Sequence, residues 1–280
     1  MMIPPDQRLS KLVHVPETSV DLAECALLIA QHEYPNLDIA GYLRELDDVA
    51  ARLKQRLPAD ASKPRVISMI NDFLFRALGY CGNHDDYYDP RNSCLNDVID
   101  RRTGIPITLS ILYMEIGRRL GLPLQGVSFP GHFLVKCISD HGVIVLDPFN
   151  RGISLSERDL RERLKQTSGL DKDTEVSLSV LLRPATQPEI LTRLARNLKG
   201  IYADRGALEK LIGITNFIVA INPSDAKELR DRGMTYYQLD CYRAALADLE
   251  LVVAMDSDAA EDDTTRDLIA ELKQKTRLLN

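Results

Sequence analysis

A chain of 280 residues has room for two domains, and 45% hydrophobic with 27% charged residues is the makeup of globular material able to bury a proper core. A net charge of −6 and a pI near 5.5 argue against a nucleic-acid partner, because phosphate binding draws on clustered Lys and Arg. Short basic pairs such as Arg101-Arg102 and Arg118-Arg119 read instead as helix faces in water. The first twenty residues carry no apolar h-region, and no run approaches the ~18 apolar residues of a bilayer span, so the expectation is a cytoplasmic protein without a membrane partner. Cys25, Cys81, Cys94, Cys137 and Cys241 are odd in number and form no C-x-x-C pair, which points to neither a disulfide framework nor a zinc site. No cofactor motif is present.

From Thr18 to Leu120 apolar residues recur at helical spacing. Val20, Ala23, Leu27 and Ala30 share one face of a first helix, Pro35 forces a stop, and a second helix begins near Asp38 with Ile39, Leu43, Leu46, Ala50, Leu53 and Leu57 inward. A third covers about 64–78 and ends at Gly79. The polar, turn-rich stretch Tyr80–Asn92 reads as an exposed loop. Ser93 is suited to cap a short helix over 94–102, and Pro106 to open a longer one that stops at Gly121. Three strands follow, over 124–129, 132–138 and 143–147, separated by Pro130-Gly131 and by Asp140-His141-Gly142. Ser156 and Asp159 form a capping box for a charged helix ending near Lys165, after which 166–188 reads as a connection between domains.

The remainder repeats. Tyr202 and Tyr236, Val219 and Val253, Ala220 and Ala254, and Asn222 and Asp256 each stand 34 residues apart, the period of helix-pair repeats. In the second copy Gly233, Tyr236, Ala245 and Leu249 occupy the small and large packing positions. In the first, Lys199 stands where a small residue is expected.

Strand geometry joins two of the chemically interesting residues. A hairpin turning about residues 139 and 140 would place His132 opposite Asp147 on one face, with Cβ atoms roughly 5 Å apart. A carboxylate there would fix the imidazole tautomer and raise its basicity, as the acid of a catalytic triad does. The same pair also serves as a polar contact at a sheet edge.

The blocks ALLIAQHEYPNLDIAGYLREL, YYDPRNSCLNDVIDRRTGIPITLSILYMEIGRRLGLPL, GVSFPGHFLVK, VLDPFNRG and ELRDRGMTYYQL resemble, in order, those of the bacterial SirB family. The resemblance implies an α+β, transglutaminase-like (papain-like) core with a small antiparallel sheet, joined to an all-α tetratricopeptide-repeat domain. The expected boundaries are 1–165 for the core, 166–188 for a linker and 189–280 for the repeats. In transglutaminase-like enzymes a cysteine opens the helix before the sheet, with the histidine and aspartate on the strands after it. His132 and Asp147 match the second and third members. Placed by Gly104-Ile105-Pro106 and Gly121-Leu122-Pro123, the cysteine position falls on Pro106, which has no nucleophile.

Replacement nucleophiles are few. Thr108 and Ser110 lie in the first turns of the same helix, where a hydroxyl more often bonds back to a carbonyl. Cys94 stands near the start of the short helix, where the dipole favours thiolate, although on the wrong helix for the topology. Cys137 lies five residues beyond His132, hence on the opposite strand face, and reads as core. His84, Asp85, Asp86 and Asp89 supply one imidazole and three carboxylates, for a metal ion or simply for a solvated loop. Asp89-Pro90-Arg91-Asn92 is placed to fold over the His132 pocket. His14, His32 and His141 read as surface residues, and the acidic run Asp256–Asp263 as a solvated loop. The functional expectation is a non-catalytic or cryptically catalytic regulatory scaffold that binds a protein or peptide through the repeats or the cleft beside His132. The competing class is acyl transfer or amide hydrolysis with Cys94 or Ser110 as nucleophile.

Overall fold

The computed structural model describes residues 4–13, 21–140, 142–168, 177–255 and 263–278. His14, His141 and residues 256–262 of the acidic run lie outside them, as does the stretch 169–176. The chain divides into two compact units, residues 16–190 and residues 1–15 with 191–280.

In the first unit, helices α2 (Leu22–Ala30), α3 (Ile39–Lys54), α4 (Lys63–Asn71), α5 (Leu95–Arg101) and α6 (Pro106–Arg119) precede a four-stranded antiparallel sheet. Its strands run in sequence order: β3 (Leu124–Val127), β4 (Leu134–Ser139), β5 (Gly142–Asp147) and β6 (Ile153–Leu155). Asp21 and Asp38 cap α2 and α3, their side chains accepting from Glu24 N and Gly41 N. Every residue from Pro106 to Gly117 is buried, so α6 is the central helix, apolar on nearly all sides because it is covered on all sides. It packs against α3, β3, β4 and the turn after β5. Beneath the sheet, Val127, Phe129, Leu134 and Val145 meet Leu160 and Leu164 of α7 (Glu157–Ser168). Each such burial contributes about 1.5–3 kcal/mol. The Ser156–Asp159 capping box opens α7.

Several local expectations need correction. The third helix does not stay α-helical: residues Asp72–Ala77 wind as a π-helix, with Leu78 N donating to Phe73 O, and this turns the consecutive Phe73, Leu74 and Phe75 all into the core. Ser93 does not cap α5. It ends a short 3-10 turn (Pro90–Ser93), and Cys94 takes the cap position without a side-chain hydrogen bond. A two-strand parallel ladder, β1 (Cys81–Gly82) with β2 (Thr103–Gly104), brackets that region. Arg118 is exposed as expected, whereas Arg119 is largely covered; both hold buried Glu115 and reach Asp21 and Asp47 respectively. Residues 178–182, expected in a linker, form α8 (Leu178–Leu181) and lay Leu178, Leu181 and Leu182 on the core under the sheet.

The second unit holds α9 (Gln187–Asp204), α10 (Leu208–Ile221), α11 (Ala226–Gln238), α12 (Tyr242–Met255) and α13 (Asp263–Leu278), with α11 packed between α10 and α12, and α13 packed on α12. Helix α1 (Pro5–Val13), which the sequence reading did not single out, belongs to this unit and buries Leu9 while packing on α10. Gly233 lets α11 close on α12: a Cβ there would stand 3.2 Å from Leu249 Cγ. At the matching position Lys199 bridges helices by charge, its Nζ lying 2.6 Å from Glu228 and 2.5 Å from Asp231.

Candidate functional site

The turn before β4 sets the histidine. Pro130 and Gly131, the latter at φ +64°, occupy the middle of a turn closed by His132 N donating to Phe129 O at 3.0 Å, and only glycine adopts that φ at no cost. β4 therefore begins at Leu134, and His132 stands just ahead of it instead of inside the strand. The hairpin register also differs from expectation. Ser139 pairs with Gly142 and Val135 with Leu146, a shift of two residues that keeps the side-chain faces but makes the approach of His132 to Asp147 diagonal. The structure brings the two together all the same: His132 Nε2 lies 2.9 Å from Asp147 Oδ1.

Asp147 is the hub of a larger network that sequence reasoning did not assemble. Asn150 donates to it from Nδ2 at 2.7 Å and from its backbone N–H at 3.3 Å, capping the 3-10 turn Pro148–Asn150. Arg163, on α7, reaches its other oxygen at 2.6 Å. Burial alone would raise the carboxyl's pKa. The hydrogen bond and charge of His132, followed by Asn150 and Arg163, outweigh burial and hold the pKa at about 2. The carboxylate is fully buried while the His132 side chain keeps 15% of its surface open, so the ionised acid orients an imidazole that stands at the edge of solvent. With Nε2 on the carboxylate, Nδ1 is the nitrogen that would exchange a proton in any base role. The Asx pattern D-P-x-N could have flagged Asn150. Arg163 lies in a separate helix and left no local signal.

The start of α6, where the family resemblance places a nucleophile, is buried. Pro106 is the first residue of α6 and is buried. Thr108 Oγ1 donates to Asn92 O at 2.8 Å and accepts from Ile105 N at 3.1 Å, which leaves the hydroxyl fully used as a brace. Ser110 has 0% exposure and its Oγ has no hydrogen-bond partner, so it makes no Ser–His pair with His132 in this conformation. Cys94 is 1% exposed on the short α5. Cys137 is buried in β4, and that burial pushes its thiol pKa up.

The loop after β1 approaches His132 from the other side through Phe149. The Phe149 ring lies 5.9 Å from His132, 4.5 Å from His84 and 6.3 Å from Tyr87. It also covers Gly82, where a Cβ would stand 2.6 Å from the ring. Asp89 does not point out as part of a metal set: it is buried and paired with Arg91 at 2.7 Å and Arg101 at 3.4 Å. Among the described residues no three His, Cys, Asp or Glu side chains are grouped to hold a metal ion. Nor is any described helix long and apolar enough to cross a membrane.

Comparison with known proteins agrees with this architecture. Residues 40–196 match the model of a transglutaminase-like superfamily, and residues 198–274 match a tetratricopeptide repeat. A UPF0162 protein of Xylella fastidiosa is 38% identical over 266 residues, 95% of each chain. One of Pseudomonas aeruginosa is 32% identical over 260 residues, 91% of this chain and 92% of that one. A shorter match, 39% identical over 103 residues, covers 34% of this chain and 16% of the F-box only protein 21 of Mus musculus. No solved structure matches the chain. With its α+β transglutaminase-like unit followed by tetratricopeptide repeats, the chain belongs to the UPF0162 family.

Proposed function

We propose that this protein is a non-catalytic regulatory scaffold of the cytoplasm, of the SirB kind, which binds a protein or peptide partner through its repeats or the cleft beside His132. The observation that carries the reading is the start of α6. Pro106 stands where the family resemblance puts the nucleophile, and the first hydroxyl after it in α6, Thr108, is consumed by its bonds to Asn92 and Ile105. A missing nucleophile removes a covalent mechanism while leaving fold and binding intact. The polar wall formed by His132 and Asp147 remains as a ligand-facing element, and tetratricopeptide helix pairs are a common peptide-binding scaffold.

A second reading draws on the 2.9 Å contact between His132 and Asp147. In it His132 is the general base of an acyl-transfer or amide-hydrolysing enzyme, Asp147 its orienting acid, and Cys94 or Ser110 the nucleophile after a rearrangement that exposes it. One experiment separates the two. Native protein and His132→Ala are labelled with limiting iodoacetamide between about pH 5 and about pH 9 and read by mass spectrometry, against a free-thiol pKa of ~8.5. The scaffold reading expects no cysteine whose reactivity depends on His132. A thiol, Cys94 above all, that reacts well below that pH and loses the reactivity in the variant overturns it.

A further inference from the structure

The turn-rich segment between β1 and α5 is anchored far more firmly than its composition suggests. Asn83 N donates to Gly104 O at 2.9 Å, and Asp86 N donates to Asn83 Oδ1 at 3.0 Å. Asn92, wholly buried, donates from Nδ2 to the carbonyls of Asp86 at 2.7 Å and Tyr87 at 3.2 Å, and its own carbonyl is held by Thr108. The start of the central helix therefore fixes the loop.

From this rigid base residues 84–88 all stand exposed. Tyr88 is 71% and Tyr87 39% open to solvent, and their rings meet edge-on at 5.3 Å. Tyr87 touches the buried Phe149, which touches His132, so a row of ring contacts links the exposed tyrosines to the His132–Asp147 pair. Asp85 and Asp86 are on the same exposed stretch, and neither carboxylate is in an ion pair among the described residues. The neighbouring cation, Arg91, is spent on Asp89.

We infer that the loop 84–88 is a docking surface for an arginine- or lysine-bearing segment of a protein partner, seated on Tyr87 and Tyr88 beside His132. This rests on the reading that the cleft binds a protein or peptide. The charge and the ring chemistry select the occupant. Aromatic faces carry negative potential and attract cations, two unpaired carboxylates add to that field, and a guanidinium both stacks on rings and forks onto carboxylates. An acidic segment or a nucleic acid would be repelled by the same groups. The anchoring through Asn92 removes the ordering cost that a floppy loop would impose on binding.

The test uses the full chain and a fluorescein-labelled peptide of alternating arginine and glycine, followed by anisotropy, with a glutamate–glycine peptide as control. Tyr88→Ala and the double variant Asp85→Asn/Asp86→Asn change only exposed side chains, and circular dichroism checks that both fold. The arginine peptide should bind wild type in preference to the control. Tyr88→Ala should weaken it about three- to tenfold, in line with ~0.5–1 kcal/mol or somewhat more for a cation over an exposed ring. The double variant should weaken it comparably and flatten its dependence on salt. No binding to wild type, equal binding of the glutamate peptide, or variants that bind like wild type each overturn the inference. Any of these leaves the scaffold reading to the repeats, whereas a His132-dependent reactive thiol sinks that reading and makes the loop a substrate-docking surface.

Discussion

The two walls of the candidate site, the surroundings of Asp147 and the start of α6, have met opposite fates. On one, Asp147 is buried yet fully partnered by His132, Asn150 and Arg163, so an ionised acid persists in the interior. On the other, the start of α6 is sealed: Pro106 offers no nucleophile, Thr108 is tied into the backbone, and Ser110 is buried with an unpaired oxygen. The walls communicate through one chain of contacts, from Thr108 to Asn92, from Asn92 to Tyr87, and from Tyr87 through Phe149 to His132. The His132–Asp147 contact is therefore held by the same bonds that hold this part of the fold.

That contrast is open to direct attack. The largest effect should come from Asp147→Ala, which leaves the donors of His132, Asn150 and Arg163 facing a cavity. Urea unfolding should show a loss of about 3 kcal/mol or more. A loss below about 1 kcal/mol would mean that the hub is not what holds this wall together.

Next in size is a pH effect with a fixed sign. The Asp147 pKa is about 2 in the folded protein, against roughly 3.9 for a free aspartate. A depressed folded value means that the unfolded state binds more protons in the interval between the two values. Its stabilisation, about 2.6 kcal/mol, is thus complete above roughly pH 5 and lost as pH falls through about 2. Comparing unfolding free energies of wild type and Asp147→Asn across that range should show the difference shrink with acid. A gap independent of pH would place the stabilisation elsewhere.

The smallest effects test the sealed wall. Thr108→Val keeps the shape but orphans the Ile105 N–H and the Asn92 carbonyl, and should cost about 1–2 kcal/mol. Ser110→Ala removes an oxygen that already lacks a partner, and should leave stability within about 0.5 kcal/mol of wild type or raise it slightly. Equal losses in the two variants would erase the distinction between a bracing hydroxyl and an unpaired one.

Much of the fold was legible because it is local. Apolar spacing marked α2, α3 and α6, and the 34-residue period marked the helical stretch α9–α12. The failures share a cause. Neither the π-turn at Asp72–Ala77 nor the short β6 has a period of its own to read, because packing under α6 and beside β5 produces them. Residues 178–182 looked like linker because their few leucines acquire meaning only when the underside of the sheet is there to receive them.

By itself the sequence determined that Pro130-Gly131 would turn the chain ahead of a strand, that Asp147-Pro148 would end another, and that Pro106 would open a helix. Each follows from the backbone restrictions of proline and glycine, which act within a few residues. Only the tertiary structure decided that the hairpin register would shift by two residues, that Arg163 would arrive from α7 to share Asp147, and that Asn92 would pin Tyr87 beside Phe149. Those outcomes depend on hydrogen-bond partners brought together from separate elements, and a buried donor or acceptor takes whichever partner the packed core supplies.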